Sequence, residues 1–446
     1  MKASKYNFFV EYDEGILAYN CLGGTFLKMD RRSYDLYRRI VDAGSVSEPK
    51  NSETEKLVCE LRRGRFIVED GFDELEYVKA RHFLSRFNSK YLSLTIAPTL
   101  DCNFNCVYCF EGTRKKGIMS RQIQDGIIDY VAAHIKTLSH IHVSWFGGEP
   151  TLVPDLIYSL SERLIALAEK NGTMYTATLI SNAYLLTREM AERMRSHGVS
   201  TVQLTVDGPP EHHDRRRVLR NGGSTFDAIF RNVKEIAGIL YVVFRVNIDT
   251  QNWESFPRLL NMLEEAGVSK SAVSIDIAQT QVFTAACQSV ADYGFDTETF
   301  AKMMTELYPI VIEHGFQVRV LPKPNYGGCT ATGTNCLLII PNGEIYRCWN
   351  TIGDERERIG HILRPIKLHH NLTKWLAWTP FEEEKCRRCN ILPLCMQSGC
   401  PYREIAVDGV VRSTNKCSPW RYNLEKILKL AYQQRVIAEN REEDSS

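Results

Sequence analysis

Cysteine clustering is the feature that most constrains this chain. The chain has 446 residues and 14 cysteines, and eleven of them fall into two groups. One group is Cys102, Cys106 and Cys109; the other is Cys329, Cys336, Cys348, Cys386, Cys389, Cys395, Cys400 and Cys417. The first residues do not resemble an export signal, so such close spacing indicates metal binding rather than disulfides. Cys21, Cys59 and Cys287 stand apart and are expected to be core thiols.

Composition excludes several classes of protein. Apolar residues make up 44% of the chain and charged residues 24%, which is typical of a soluble globular protein. The 55 basic and 54 acidic residues leave a formal net charge of +1, so nothing favours a nucleic acid or an acidic membrane surface as partner. No apolar run approaches the roughly 18 residues that a membrane helix needs. We expect a cytoplasmic protein with no nucleic-acid partner and no membrane contact.

The first 90 residues predict a small α+β module. Its expected strands are Phe8–Val10, Ile16–Tyr19 and Thr25–Met29. Helices are expected after Asp30, from Ser52 to near Gly64, and from near Asp73. Three strands and three helices are enough for a winged-helix-like fold.

From residue 91 to about 320 the pattern alternates between strands and helices. The expected strands are Leu92–Ala97, His142–Phe146, Met174–Ile180, Thr201–Val206, Val242–Ile248 and Ala272–Ile277. Helices are expected between them, for example Ile123–Ile135, Leu156–Leu167 and Phe256–Ala266. Six such units predict an α/β fold with a parallel sheet, in the form of a partial (β/α)6 TIM-type barrel. Residues 321–425 are cysteine-rich and are expected to fold around metal, and a C-terminal helix with a polar tail is expected over 426–446.

The first cysteine group has a specific spacing. Three residues separate Cys102 from Cys106, and two separate Cys106 from Cys109. Three thiolates leave one iron of a four-iron cluster open, because such a cluster takes four ligands. With Tyr108 before the last cysteine, the motif resembles that of radical S-adenosylmethionine (SAM) enzymes. The resemblance implies that the open iron binds SAM and that the reduced cluster generates a 5′-deoxyadenosyl radical. A zinc site is the alternative.

Further motifs stand at the expected ends of the barrel strands, where such barrels place their active sites. The resemblance implies cofactor contacts from Tyr108, Gly147, Gly148, Glu149, Pro150, Ser181, Asn182, Asp207 and Asn247. Within this set, the Gly147–Pro150 motif resembles the one that holds the methionine amino group. His213, Asp214 and Arg217 resemble a stretch of members that act on peptides and proteins. The alternatives are a plain strand-to-helix turn and a salt-bridged loop.

The second cysteine group resembles the SPASM extension of that family. The resemblance implies two auxiliary four-iron clusters. Cys329, Cys336, Cys348 and Cys400 would hold the first, and Cys386, Cys389, Cys395 and Cys417 the second. Four residues separate Cys395 from Cys400, where the family usually has three, which leaves the assignment of Cys400 open. Without Cys336 the first cluster would have an open iron, and zinc is the alternative throughout.

The N-terminal module resembles the PqqD-like recognition element of ribosomal-peptide maturases, in which a leader peptide adds a strand to a sheet edge. A cap that only packs on the barrel is the alternative. The combined resemblance implies a radical SAM maturase that cross-links a precursor peptide through a thioether or a carbon–carbon bond. Its cofactors would be three 4Fe-4S clusters and SAM, and its partners a precursor peptide with a leader and a reductant such as flavodoxin or ferredoxin. An anaerobic sulfatase-maturing enzyme, an iron–sulfur electron carrier and a zinc-stabilised module remain as alternatives.

Overall fold

A computed structural model describes residues 1–42, 52–111, 116–396, 400–405 and 417–443. Within these residues the strands form one nine-stranded sheet, one three-stranded sheet and one strand pair. The nine-stranded sheet carries the main hydrophobic core.

The N-terminal module has the predicted strands and helices. Its antiparallel meander consists of β2 (Asn7–Tyr12), β3 (Gly15–Asn20) and β4 (Thr25–Asp30), while β1 (Lys2–Ala3) pairs with β5 (Ile67–Val68). Its helices are α1 (Arg31–Asp42), α2 (Ser52–Arg63) and α3 (Glu74–Arg86). The expected starts hold because Asp30 accepts from the Ser33 amide at 2.6 Å and Asp73 caps α3.

The barrel strands are six parallel neighbours in chain order. They are β6 (Tyr91–Ile96), β7 (His140–Trp145), β8 (Met174–Ile180), β9 (Val199–Thr205), β10 (Tyr241–Ile248) and β11 (Val273–Gln279). Alternate residues such as Ile141, Val143 and Trp145 are fully buried in the core beneath the helices. The residues between them are half-buried on the opposite face of the strand. The predicted α/β partial barrel is confirmed.

Seven helices connect or follow these strands. They are α4 (Arg121–His134), α5 (Pro154–Lys170), α6 (Arg188–Ser196), α7 (Pro210–Arg216), α8 (Phe226–Ile236), α9 (Phe256–Glu265) and α10 (Thr297–Glu313). None of the described helices is both long and apolar enough to cross a membrane.

The cysteine-rich region contributes three strands to the same sheet as the barrel. Strand β12 (Cys336–Ile339) pairs in parallel with β6, and β13 (Glu344–Tyr346) and β14 (Gly360–His361) continue the sheet antiparallel. The remaining helices are α11 (His370–Ala377), α12 (Glu384–Arg387), α13 (Leu392–Cys395), α14 (Tyr402–Ile405) and α15 (Trp420–Glu443). The first barrel strand is therefore an interior strand with two parallel neighbours.

The C-terminal helix begins at Trp420, six residues before the predicted position, and residues 444–446 of the predicted tail lie outside the described residues. Its buried Ile427 and Leu428 pack into two different cores. Asn423 donates to the Ala301 carbonyl at 3.0 Å, and Tyr432 makes an edge contact with Tyr12 at 5.4 Å. This helix joins the barrel to the N-terminal module.

The shared sheet makes a prediction for hydrogen exchange. The Ala97 amide donates to the Ile339 carbonyl at 2.9 Å, and the Ser93 amide to the Asn335 carbonyl at 2.8 Å. We expect the amides of β12 to exchange as slowly as those of β6, because interior strands of one sheet open together. Mass-spectrometric hydrogen exchange on the full chain measures this. Fast exchange in β12 beside a protected β6 would contradict a continuous sheet.

Candidate functional site

The first cysteine group occupies the loop that leaves the carboxyl end of β6. Within the loop, the Phe104 amide donates to the Cys102 sulfur at 3.4 Å and the Cys109 amide to the Cys106 carbonyl at 3.1 Å. The Val107 amide donates to the Arg216 carbonyl at 3.0 Å, which links the loop to α7. The three thiols are thus held on a backbone that is itself hydrogen-bonded to the barrel.

Gly147 and Gly148 let the loop after β7 lie directly on the cysteine loop. The Gly148 amide donates to the Thr99 carbonyl at 3.1 Å. A Cβ atom on Gly148 would lie 2.2 Å from the Asp101 carbonyl oxygen, and Gly147 has a φ of +133°. Glycine is required at both positions by backbone packing and conformation.

The Glu149 carboxylate is fully buried and accepts four hydrogen bonds from the chain. Its partners are the Thr151 amide (3.0 Å) and hydroxyl (2.6 Å), the Ser181 hydroxyl (2.7 Å) and the Asn182 amide (2.6 Å). Burial raises the pKa of Glu149, and these donors oppose the rise. The carboxylate therefore fastens the end of β7 to the end of β8.

Asn182 extends this arrangement to the cysteine loop. Its side-chain amide donates to the side-chain oxygen Oδ1 of Asn103 at 2.7 Å and lies 4.0 Å from the Cys102 sulfur. The side-chain nitrogen Nδ2 of Asn103 is buried and has no hydrogen-bond partner among the described residues. A buried donor without a partner is costly, so this position fits a bound acceptor group.

The Tyr108 hydroxyl contacts two further residues of the predicted site, Asp207 and Asn247. It donates to Asp207 and accepts from Arg217 at 2.8 Å and from the Asn247 side chain at 3.3 Å. Asp207 also accepts from the Asn247 backbone amide at 3.2 Å. The structure thus brings Tyr108, Asp207 and Asn247 together.

Two adjacent arginines give this network its charge. Arg216 bridges Asp207 at 3.3 Å and Asp249 at 2.7 Å, and all three side chains are buried. Burial works against the charge of Arg217, but neighbouring Cys106, Tyr108 and Asp207 raise its pKa overall. The Nε atom of Arg217 is buried and has no hydrogen-bond partner among the described residues, so it is a second donor available to a bound acceptor group.

His213 and Asp214 stabilise the segment between β9 and α8. His213 accepts from the Asp207 amide at 3.2 Å and donates to the Thr225 hydroxyl at 3.0 Å. Asp214 accepts from the Thr225 and Phe226 amides at the start of α8, at 2.7 and 3.0 Å. These contacts agree with the alternative in which His213 and Asp214 belong to a structural loop.

The residues that the sequence analysis missed are Arg216, Asp249, Asn252 and Thr280. Asn252 donates to the Asp207 and Asn247 carbonyls, and Arg216 reaches Thr280 at 3.2 Å. Asp249 and Thr280 directly follow β10 and β11, so the strand-end rule that found Asp207 would also have found them.

In the second cysteine group, the members assigned to the first auxiliary cluster lie close together. Cys329, Cys348 and Cys400 share one packed cluster with Trp375. Cys336 and Cys329 line a cavity of about 240 Å3. Cys400 thus packs with this set despite its unusual spacing.

The members assigned to the second auxiliary cluster line a cavity of their own. Its volume is about 300 Å3, and its cysteines are Cys386, Cys389, Cys395 and Cys417. Arg421, which is exposed, lies with one guanidinium nitrogen 3.8 Å from the Cys389 sulfur. Four thiols around one space are a suitable donor set for an iron–sulfur cluster.

The remaining cysteines are only partly as predicted. None of the 14 cysteines, all of which lie among the described residues, forms a disulfide, and Cys21 and Cys287 are buried as expected. Cys59 is exposed on α2, so its prediction as a core thiol is wrong. No three of the described histidine, cysteine, aspartate and glutamate side chains form a group suited to a single metal ion.

A third cavity connects the barrel to both auxiliary sets. It has a volume of about 470 Å3 and is lined by Arg245 and Asp276 on one side and by Cys395, Cys400 and Cys417 on the other. Arg245 pairs with Asp276 at 3.1 Å and donates to Asn247 at 3.2 Å. This cavity therefore begins next to the Tyr108 network.

Comparison with known proteins agrees with this geometry. Residues 96–263 match the Radical SAM superfamily. The first curated relatives match this chain over only 41% and 46% of their own lengths. A cysteine-type anaerobic sulfatase-maturating enzyme from Clostridium novyi is 23% identical over 385 residues, which are 78% of this chain and 99% of that protein.

Two solved structures share the fold. The enzyme anSMEcpe with bound AdoMet superposes with a TM-score of 0.61 at 19% identity, over 78% of this chain and 95% of its own. SuiB from Streptococcus suis, bound to its precursor peptide SuiA, superposes with a TM-score of 0.53 at 14% identity, over 93% of this chain and 99% of its own.

The glycine contact makes the first prediction from this site. We expect Gly148→Ala to lower the free energy of unfolding by about 1–3 kcal/mol, because the added methyl group overpacks the Asp101 carbonyl. Chemical denaturation measures the change. Gly71→Ala is the matched control, since a Cβ there meets nothing within 4 Å. Equal stability of the two variants would contradict the close approach.

The buried His213 makes a prediction for acid stability. Burial lowers its pKa to about 3, so the folded chain keeps it neutral, whereas the unfolded chain protonates it below about pH 6.5. Stability is therefore lost as the pH falls from about 6.5 towards 3. From pH 5.5 to 4 the slope should be smaller by about 1.4 kcal/mol per pH unit in His213→Gln than in the wild type.

Urea denaturation at several pH values measures these slopes. The exposed His370, replaced in His370→Gln, is the control for losing a histidine at the surface. An unchanged slope in His213→Gln would show that His213 is protonated in the folded state.

Proposed function

We propose that this radical SAM protein, whose domain of that superfamily spans residues 96–263, modifies a ribosomally made precursor peptide. The modification would be an oxidative cross-link, either a thioether or a carbon–carbon bond. The convergence of Cys102, Tyr108 and Asn182 at the carboxyl ends of the strands, beside two open buried donors, carries the proposal.

The residues of the site fit the cofactors that this chemistry needs. Cys102, Cys106 and Cys109 would hold a four-iron cluster, and the Asn103 and Arg217 donors would receive acceptor groups of SAM. When bound, the reduced cluster and SAM together supply a 5′-deoxyadenosyl radical that abstracts a hydrogen atom. Glu149 would orient Ser181 and Asn182, and Tyr108 would hold the cysteine loop against Asp207 and Asn247. Contact between the Gly147–Pro150 motif and the methionine amino group remains a prediction.

The cavity of about 470 Å3 supports a peptide substrate. It begins beside Asn247 and ends at Cys395, Cys400 and Cys417, so a peptide segment inside it would reach from the radical site to both auxiliary sets. The Arg245–Asp276 pair offers it both a donor and an acceptor. We propose that the N-terminal module binds the leader; SuiB, which shares the fold over 93% of this chain, was solved with its precursor peptide.

Two auxiliary four-iron clusters complete the proposal. Cys329, Cys336, Cys348 and Cys400 would hold the first, and the four cysteines of the 300 Å3 cavity the second. Their function would be to take up the electron that remains after bond formation, or to bind the substrate. A reductant such as flavodoxin or ferredoxin in the cytoplasm would supply the first electron.

A sulfatase-maturing enzyme is the second candidate. The similarity to the Clostridium novyi enzyme over 78% of this chain favours it. That reaction has no need of the leader-binding module proposed for residues 1–90. Incubation with a sulfatase peptide and with the candidate precursor separates the two, because only the true substrate changes in mass.

SAM cleavage tests the radical site itself. We expect the anaerobically purified, reduced protein to convert SAM to 5′-deoxyadenosine, and Cys106→Ala to lose this activity by at least 100-fold, because the cluster loses a ligand. Chromatography of the products measures it. Cys59→Ala is the matched control, since Cys59 is exposed on α2. An equally active Cys106→Ala would contradict the assignment, and an iron–sulfur carrier would give no 5′-deoxyadenosine in either protein.

Substrate choice is tested by the precursor peptide. We expect the core peptide to lose two mass units per cross-link when it is incubated with the protein, SAM and reductant, because each cross-link removes two hydrogens. Arg245→Ala should weaken this modification more than SAM cleavage, since Arg245 lines the proposed peptide cavity. Intact peptide mass with all clusters in place would refute a maturase of that peptide.

A further inference from the structure

Two buried arginines enclose the loop that carries Cys329 and Cys336. Arg86, at the end of α3, is 3% exposed, and Arg347, just after β13, is 5% exposed. Arg347 donates to the carbonyls of Ala331 (2.8 Å), Cys336 (2.6 Å) and Gly333. The guanidinium thus sits inside the loop, between the two cysteines.

Arg86 reaches the same loop from the N-terminal module. Its guanidinium donates to the Thr332 carbonyl at 3.1 and 2.9 Å. It also donates to the carbonyls of Trp378 and Leu376, at 2.7 and 2.9 Å, and contacts His82 at 3.0 Å. All these partners are neutral.

Neither arginine has a negative partner within the described part of the chain. Their hydrogen bonds go to carbonyls and to one histidine, and neither takes part in an ion pair there. Burial, followed by the charge of Arg347, lowers the pKa of Arg86 to about 10, so it remains cationic at neutral pH. Buried charges are normally paired, and two like charges on one loop are unfavourable without an anion.

We infer that Arg86 and Arg347 are the counter-cations of the first auxiliary cluster and that they raise its reduction potential above that of the second. This inference rests on the proposed function, which assigns Cys329, Cys336, Cys348 and Cys400 to that cluster. Four thiolates around a four-iron core carry a net negative charge. The cluster would therefore be the anion that pairs with the two arginines. Both cations lie at the loop that carries these ligands, because Arg347 donates to the Cys336 carbonyl and Arg86 to the Thr332 carbonyl.

The charges of Arg86 and Arg347 also affect the reduction potential of the first auxiliary cluster. Adding an electron makes a cluster more negative, and a fixed cation in a water-excluded site stabilises that state strongly. The cations that line the cavity of the second set, Lys385, Arg388 and Arg421, are all exposed, so solvent screens their effect. The first auxiliary cluster is therefore the better electron acceptor of the two.

Redox titration of the full chain tests the inference. The radical cluster is removed by replacing Cys102, Cys106 and Cys109 with Ala, and the two auxiliary clusters are then titrated under electron paramagnetic resonance. We expect Arg347→Gln to shift the higher of the two potentials to a more negative value and to leave the lower one unchanged; a shift of the lower potential alone would overturn the inference. Arg347→Lys, which keeps the charge, should restore most of the shift. Arg421→Gln, the exposed control, should shift neither potential by a comparable amount.

The outcomes separate the inference from the proposed function. Unchanged potentials in an iron-replete Arg347→Gln protein would overturn the inference alone. If Arg347→Gln loses four irons, retention of iron in Arg347→Lys supports a requirement for charge, whereas equal loss in both variants overturns it in favour of packing. A background protein without auxiliary iron would refute the cluster assignment of the proposed function itself.

Discussion

The hydrogen bond between Tyr108 and Asp207 is the contact on which the rest of the site depends. The cysteine loop leaves the sheet at β6, whereas Asp207 follows β9, three strands away. The hydroxyl of the half-buried Tyr108 joins the two, and Arg217 and Asn247 converge on the same oxygen. Backbone hydrogen bonds such as that from the Val107 amide to the Arg216 carbonyl support the same side of the loop, and Gly148 and Asn182 anchor its other side. Because Asp207 and Arg217 are buried, leaving either one unpaired is costly, which favours a single arrangement.

The position of β6 couples this site to the rest of the molecule. The strand has β7 on one side and β12 on the other, so the loop of the first cysteine group and the strand that starts at Cys336 share one backbone ladder. Arg86 adds a second link, because it belongs to the N-terminal module yet bonds the loop before β12. The proposed leader-binding, radical and auxiliary regions are therefore contiguous through hydrogen bonds rather than through a linker.

The sequence was sufficient wherever a local pattern determines the structure. Alternation and caps predicted the six parallel strands and the starts at Asp30 and Asp73, and the family resemblance assigned Tyr108, Asp207 and Asn247, which the structure brings together, to one cofactor site. It failed where the outcome depends on distant partners. Nothing in the residues around Cys336 indicates that β12 joins β6, and Arg86 and Arg347 are isolated basic residues in the sequence. Likewise, the four donors to the Glu149 carboxylate come from turns that only the folded barrel brings together.

The central claim is that the two cysteine groups hold three four-iron clusters. The most direct measurement is the iron and acid-labile sulfide content per chain after purification without oxygen, together with the visible spectrum. The account predicts about twelve irons and about twelve sulfides per chain, in a brown protein. A colourless protein that carries zinc instead of iron would contradict it.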